Sequence, residues 1–234
     1  MKWTNPLSND TSWSTPVTNK SQKELAAKNV AERLRQNDII GVGSGSTSFL
    51  ALLALVKRRD TENLWFSVIT TSLEMDLLCA SLSVPVTKLS VQRPDWSFDG
   101  ADEVDENNNL IKGRGGALLR EKLLIAASPE AYIIIDPTKR VKRLGQKFPV
   151  PVEIIPEAIH LVERLLRENK DIRSIELRKS HGKDGPVITE NGNLLLDVTF
   201  DMILPDTELR LKSMTGIVET GLFIGYPIKI INYL

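Results

Sequence analysis

Ile39-Ile40-Gly41-Val42-Gly43-Ser44-Gly45-Ser46-Thr47, running into an apolar segment over residues 49–57, is the stretch that decides the fold. A short apolar run ends in a loop of glycine and serine. A helical segment follows, closed by Arg58 and Arg59, where positive charge suits the helix dipole. The order is strand, loop, helix, and it recurs. Residues 65–70 read as a strand and residues 73–81 as a helix. Residues 84–89 read as another short strand, and Trp96-Ser97-Phe98-Asp99 as a weak strand entering a turn. Residues 117–127 form a strong helical pattern, and residues 131–135 a strand of the fully buried type. Ahead of them, residues 21–35 are periodic: Ser21 followed by Glu24 fits a capping box, and Leu25, Val30 and Leu34 can share an apolar side. Strands alternating with helices define an α/β protein with a mainly parallel sheet covered on both faces.

The character changes after Gly145. Phe148-Pro149-Val150-Pro151 restricts the backbone and reads as a crossing between domains. Residues 157–167 are helical, and residues 174–179 and 194–200 are strand-like with a glycine-containing connection. The expected organisation is a larger domain over 21–145 plus 215–234 and a second, smaller α+β domain over 146–214. The last stretch, 217–233, reads as a return to the first sheet. Residues 1–20, rich in Ser, Thr, Asn and Pro, read as a loosely held tail carrying Trp3 and Trp13, without the basic start and apolar core of a secretory signal.

The chain has 234 residues, with 30 Lys+Arg against 30 Asp+Glu, so bulk attraction to nucleic acid or a membrane surface is not expected. No run approaches the length of a membrane-spanning helix. The one cysteine, Cys79, rules out an internal disulfide and fits a reducing, cytoplasmic setting. His160 and His181 are too few and too isolated for a metal site and read as surface residues.

Three loops carry the chemistry. In Gly43 to Thr47, glycines let backbone N–H groups approach an anion, Ser44, Ser46 and Thr47 add hydroxyls, and the following helix N-terminus adds roughly half a positive charge. The same residues would also make a tight turn with helix-capping serines. No lysine follows Gly45, so this is not a nucleotide P-loop; position 46 is serine, so the G-x-G-x-x-G fingerprint is incomplete. A small phosphorylated molecule fits better. The second loop, Asp99-Gly100-Ala101-Asp102-Glu103-Val104-Asp105, holds four carboxylates that either form a solvated acidic turn or bind sugar hydroxyls and move protons. The third, Lys112-Gly113-Arg114-Gly115-Gly116, feeds a helix whose first turn carries Glu121. Its N–H groups can hold an anion or a developing oxyanion, Lys112 adds a point charge, and Glu121 is either a proton-transfer base or an exposed helix residue paired with a cation. Each loop follows a strand or nearly does, and ligands of parallel α/β sheets sit beyond the strands' carboxyl ends. Asp136 and Lys139 follow another such strand.

These blocks resemble ribose-5-phosphate isomerase type A. Gly41 to Thr47, Asp99 to Glu103 and Lys112 to Lys122 are similar to its three main blocks, in order. Asp136-x-x-Lys139, Phe148-Pro149-Val150-Pro151-Val152-Glu153 and Gly216-Ile217-Val218-Glu219-Thr220-Gly221-Leu222-Phe223 are similar to further ones, so the resemblance spans about residues 21–234. It implies a Rossmann-like domain with a smaller α+β domain. It also implies interconversion of ribose 5-phosphate and ribulose 5-phosphate in the non-oxidative pentose phosphate pathway, with no metal or organic cofactor. The partner is a small-molecule sugar phosphate, not nucleic acid or membrane, and the assembly a homo-oligomer, commonly a dimer. The implied substrate contacts are Ser44, Gly45, Ser46 and Thr47; Asp99, Gly100, Ala101 and Asp102; Lys112, Gly113, Arg114 and Gly115; and Lys139. Glu121 is implied as the acid/base residue acting through a cis-enediolate. In that mechanism Lys112 and loop N–H groups are expected to stabilise the enediolate, Asp99 to assist ring opening and Asp102 to hold hydroxyls.

The chain also departs from the family. Arg114 stands in a loop that is often all glycine, and Thr220 where Asn is frequent. A lysine of the first helix found in some members falls near Ala26, with Lys23 and Lys28 facing elsewhere. A sugar-phosphate sensor, or an isomerase of another sugar phosphate, is the alternative.

Overall fold

The structure is a computed structural model that describes residues 17–180, 182 and 184–232. Most of the expected tail, with Trp3 and Trp13, lies outside the described residues, as does His181. In chain order the elements are α1 (Lys20–Ala31), β1 (Asp38–Val42), α2 (Gly45–Glu62), β2 (Phe66–Thr70), α3 (Leu73–Ser81) and β3 (Trp96–Gly100). Then come β4 (Glu103–Val104), β5 (Leu110–Ile111), α4 (Leu118–Ala127), β6 (Ala131–Ile135) and β7 (Val150–Ile154). The chain closes with α5 (Ile159–Arg167), β8 (Ile172–Leu177), β9 (Leu194–Phe200), α6 (Thr207–Lys212), β10 (Ile217–Thr220), β11 (Leu222–Phe223) and β12 (Ile228–Asn232). Among the described residues no helix is long and apolar enough to cross a membrane.

The chain forms two compact units. The first comprises Met1–Gly100, Leu123–Pro137 and Pro227–Leu234. Its five strands run in the order β2-β1-β3-β6-β12, and every pairing is parallel. β6, Ala-Tyr-Ile-Ile-Ile, is buried throughout, the mark of a strand with both faces covered. Ile40, Val42, Leu52, Leu55, Phe66, Val68 and Phe98 join one apolar core. Cys79 lies fully inside it, and loss of hydration, with the nearby Asp76 charge, pushes its thiol up to about 12.

Two details of the first unit correct the sequence reading. Ser21 does not start a capping box, because α1 begins at Lys20 behind Asn19, whose backbone is left-handed and whose side chain makes no cap bond. Its inward face is Lys23, Ala26, Ala27, Val30 and Ala31, while Leu25 is 57% exposed. Residues 84–89 are not a strand. A single parallel bridge joins Val86 to Val68, and Pro85 supplies a carbonyl to Val68 but has no N–H to extend a ladder.

The second unit comprises Ala101–Lys122 and Thr138–Tyr226. It therefore takes in residues 101–122, which the sequence reading puts in the first domain. The reason is pairing: β4 and β5 form a three-stranded antiparallel sheet with β11. Glu103, fully buried, also accepts N–H bonds from Gly145, Lys147 and Phe148. The other sheet, β10-β7-β9-β8, is antiparallel throughout. The proline-rich crossing read at 148–151 is instead the start of β7, an interior strand of that sheet. Pro151 stands opposite Asp197, and its carbonyl accepts from Gly221 N at 2.7 Å. The final stretch divides three ways: β10 and β11 join the antiparallel sheets, and only β12 returns to the parallel one.

Candidate active site

In the first unit, the strand order reverses at β1: β2 lies on one side and β3 on the other. The loops leaving β1 and β3 at such a switch point flank the usual ligand crevice of a doubly wound sheet. Gly43 and Asp99 meet there. Gly43 N donates to Phe98 O at 2.9 Å, and a Cβ on Gly43 would fall 1.9 Å from the Asp99 carboxyl carbon, so position 43 admits glycine alone. Asp99 is buried and accepts Gly100 N at 2.7 Å and the Ser48 hydroxyl at 3.5 Å. α2 starts at Gly45, so Ser46 and Thr47 occupy its first turn rather than a loop ahead of residue 49. Ser44 is the N-cap, and its hydroxyl does not close that turn. Thr47 comes within 3.8 Å of a Cβ built on Gly100.

Lys23 was missed. It shares the buried face of α1 with Ala26, three residues on, and its Nζ donates to Ser46 Oγ at 3.0 Å. The expectation that it faces elsewhere is corrected by the helix period: positions 23, 26, 27 and 30 share a side. Asp136 is buried and accepts from Asn19 Nδ2 at 3.4 Å.

The second unit holds the other cluster. Lys112 follows β5 directly, and Glu121 lies in the first turn of α4. Both side chains are at most 5% exposed, and Lys112 Nζ sits 3.4 Å from Glu121 Oε2. Such a pair holds a buried carboxylate in place beside a cation, away from bulk water. Between them runs Gly113 to Gly116, closed by Gly116 N donating to Gly113 O at 3.0 Å. Gly113 has φ +96°, and a Cβ there would meet Leu118 at 2.7 Å.

Arg114 N donates to Asp102 Oδ2 at 3.2 Å. The guanidinium of Arg114 and the ammonium of Lys139 each lie over the Phe148 ring, 5.8 and 5.5 Å from its centre. Lys139 ends a 3-10 turn, Pro137–Lys139. The four carboxylates of the second loop thus separate. Asp99 ends one cluster and Asp102 starts the other. Glu103 and Asp105 serve the backbone, Asp105 accepting from Asn107 and Asn109 N. His160 is exposed.

Burial raises the Asp102 carboxyl above its ordinary range. Lys112, the Arg114 N–H and Lys139 oppose that rise, and Glu121 adds to it. A carboxyl raised by folding contributes most stability below its unfolded pKa of roughly 3.9, and loses it as pH climbs through the folded value. Asp102→Asn is therefore expected to raise Tm at pH 7 and to show no such gain at pH 3.5. Calorimetry at the two values checks this, and a lower Tm for the variant at pH 7 contradicts it.

A doubly wound parallel domain, with glycine- and serine-bearing turns at its switch point and a buried lysine–glutamate pair in a companion unit, defines a class: α/β proteins equipped for a small anionic substrate and proton transfer. Residues 67–232 match the family model of ribose 5-phosphate isomerase A, phosphoriboisomerase A. The chain is 39% identical to ribose-5-phosphate isomerase A of Methanothermobacter thermautotrophicus, over 87% of this chain and 89% of that one. The structure of ribose 5-phosphate isomerase A from Methanocaldococcus jannaschii superposes with a TM-score of 0.88 at 35% identity, covering 93% of this chain and 96% of that one. A D-ribose-5-phosphate isomerase in complex with phospho-erythronic acid gives a TM-score of 0.86 at 34% identity, covering 92% and 96%. The chain belongs to the ribose 5-phosphate isomerase A family.

Proposed function

We propose that this chain interconverts D-ribose 5-phosphate and D-ribulose 5-phosphate, with Glu121 carrying the proton between C2 and C1. Membership of the family makes it an aldose–ketose isomerase. The observation that carries the mechanism is the buried Lys112–Glu121 pair beside a turn of glycines.

Asp99 assists opening of the furanose ring. The Glu121 carboxylate then takes the C2 proton of the open-chain aldose, and the electron pair moves onto the C1 oxygen as the cis-enediolate. Lys112 and the N–H groups of the 113–115 turn stabilise that charge. A proton passes between the two oxygens, and protonated Glu121 returns its proton to C1. Asp102 holds substrate hydroxyls. Ser44, Gly45, Ser46 and Thr47, with Lys23 and Lys139, hold the phosphate, whose charge suits the first turn of α2. Gly100, Ala101, Gly113, Arg114 and Gly115 complete the contacts. A sugar phosphate is supported by the complex of the related isomerase with phospho-erythronic acid. We read the enzyme as a cytoplasmic homodimer of the non-oxidative pentose phosphate pathway.

Purified protein supplied with ribose 5-phosphate is expected to form ribulose 5-phosphate at the same rate with and without EDTA. A panel of aldose phosphates in the same assay decides the substrate. No turnover of ribose 5-phosphate together with turnover of another aldose phosphate overturns the reading.

A further inference from the structure

The turn from Gly113 to Gly116 has three glycines among four residues, so its backbone is costly to hold in one conformation. A side chain 65 residues away holds it. Arg178, directly after β8, donates Nη1 to Gly113 O at 2.9 Å and to Arg114 O at 3.0 Å. Its other edge is bidentate on Asp197, through Nε at 2.8 Å and through Nη2. The Arg178 side chain is only 15% exposed. Its main chain is tied on both sides, Arg178 N donating to Leu195 O and Val187 N donating to Arg178 O, each at 2.9 Å. The clamp is therefore stiff from backbone to tip.

Peptide planarity gives the clamp a consequence. In a trans peptide, the N–H of one residue points opposite the preceding carbonyl. With the carbonyls of Gly113 and Arg114 drawn to Arg178, the N–H groups of Arg114 and Gly115 turn to the other side. Arg114 N does so, donating to Asp102. A flip of the 114–115 peptide would instead present a carbonyl oxygen where the proposed mechanism develops negative charge. Lysine could not replace this clamp, because one ammonium cannot grip a carboxylate in bidentate fashion and two carbonyls in the same plane.

We infer that Arg178, anchored by Asp197, is a positioning residue for the isomerase reaction, turning the Arg114 N–H onto Asp102 and the Gly115 N–H toward the charge that forms on the substrate. This rests on the function proposed above. The test measures kcat and KM for ribose 5-phosphate, and the Kd of phospho-erythronic acid, whose planar carboxylate resembles an enediolate, in wild type, Arg178→Ala, Arg178→Lys and Arg173→Ala. Arg173 bonds only the exposed Asp201 among the described residues and serves as the control.

Loss of a preorganised donor costs roughly 10²–10³-fold in kcat. Arg178→Ala is expected to lose about that much, with KM within about threefold of wild type and phospho-erythronic acid bound weaker in step with kcat. Arg178→Lys, which keeps the charge, is expected to recover less than a tenth of the loss. Arg173→Ala stays at the wild-type rate. If Arg178→Ala does not fold, the lysine variant decides alone. A kcat within threefold of wild type in either Arg178 variant overturns the inference, and so does a rise in KM matching the fall in kcat. Wild-type protein inactive on ribose 5-phosphate overturns the functional reading instead.

Discussion

Glu121→Gln is expected to lower kcat for ribose 5-phosphate by ~10²–10⁴-fold, the usual worth of a positioned acid/base group. Glutamine keeps the size and the planar head of the side chain but takes up no proton from carbon at neutral pH. Binding should survive, since the remaining proposed contacts do not involve residue 121. Phospho-erythronic acid is therefore expected to bind within about tenfold of wild type, allowing for one altered hydrogen bond. The buried Lys112 loses a counter-charge, so thermal unfolding has to be measured alongside, and turnover compared below the variant's own transition. Full turnover in folded Glu121→Gln would remove residue 121 from the mechanism.

Lys122→Met is expected to be the most destabilising of these changes, at about 3–5 kcal/mol, the cost of stripping one partner from a buried ion pair. Lys122 stands beside Glu121 on α4 but serves structure. Its ammonium bonds Glu208, Glu219 Oε1 at 2.8 Å and Leu222 O at 2.7 Å. Glu219 also takes Lys212 at 2.6 Å. Burial works against ionisation of Glu219, but Lys122 and Lys212 outweigh it and hold the carboxyl below its ordinary range.

A depressed carboxyl contributes stability above its unfolded pKa of roughly 4.3 and loses it as pH falls through the folded value. In the variant the uncompensated carboxylates can be relieved by protonation. The deficit against wild type should then be largest at pH 7 and shrink below about pH 4. Urea unfolding at both pH values reads it out. A constant deficit would point to lost packing of the lysine stem instead.

Different parts of the molecule were legible to different degrees. The strands β6 and β9 and the helix α3 fall where their apolar patterns predict. Boundaries moved where a loop residue could also be helical, as at Gly45, Ser46 and Thr47, because α2 begins under the serines. Proline misled the reading twice in opposite directions. Pro151 sits within an interior strand because its carbonyl still pairs, whereas Pro85 limits 84–89 to a bridge.

The candidate site was legible as residue types in loops, and its internal division was not. Nothing local separates Asp102 from Glu103. Glu103 is committed to main-chain N–H groups more than forty residues on, and Asp102 to the 112–116 turn. Lys23 could have been found, since it shares a helical face with Ala26. Arg178 carried no local signal at all, because the turn carbonyls it holds are 64 and 65 residues away and its anchor Asp197 is 19 residues away.

The linear order of residues by itself determined the alternation of strand and helix, the glycine turns and the presence of Glu121 and Lys112, since these rest on periodicity and backbone freedom within a few neighbours. Tertiary structure alone decided which carboxylates are structural, which lysine reaches Ser46, and what holds the glycine turn still. Burial and pairing of charge depend on groups far apart along the chain, and only the folded backbone brings them within bonding distance.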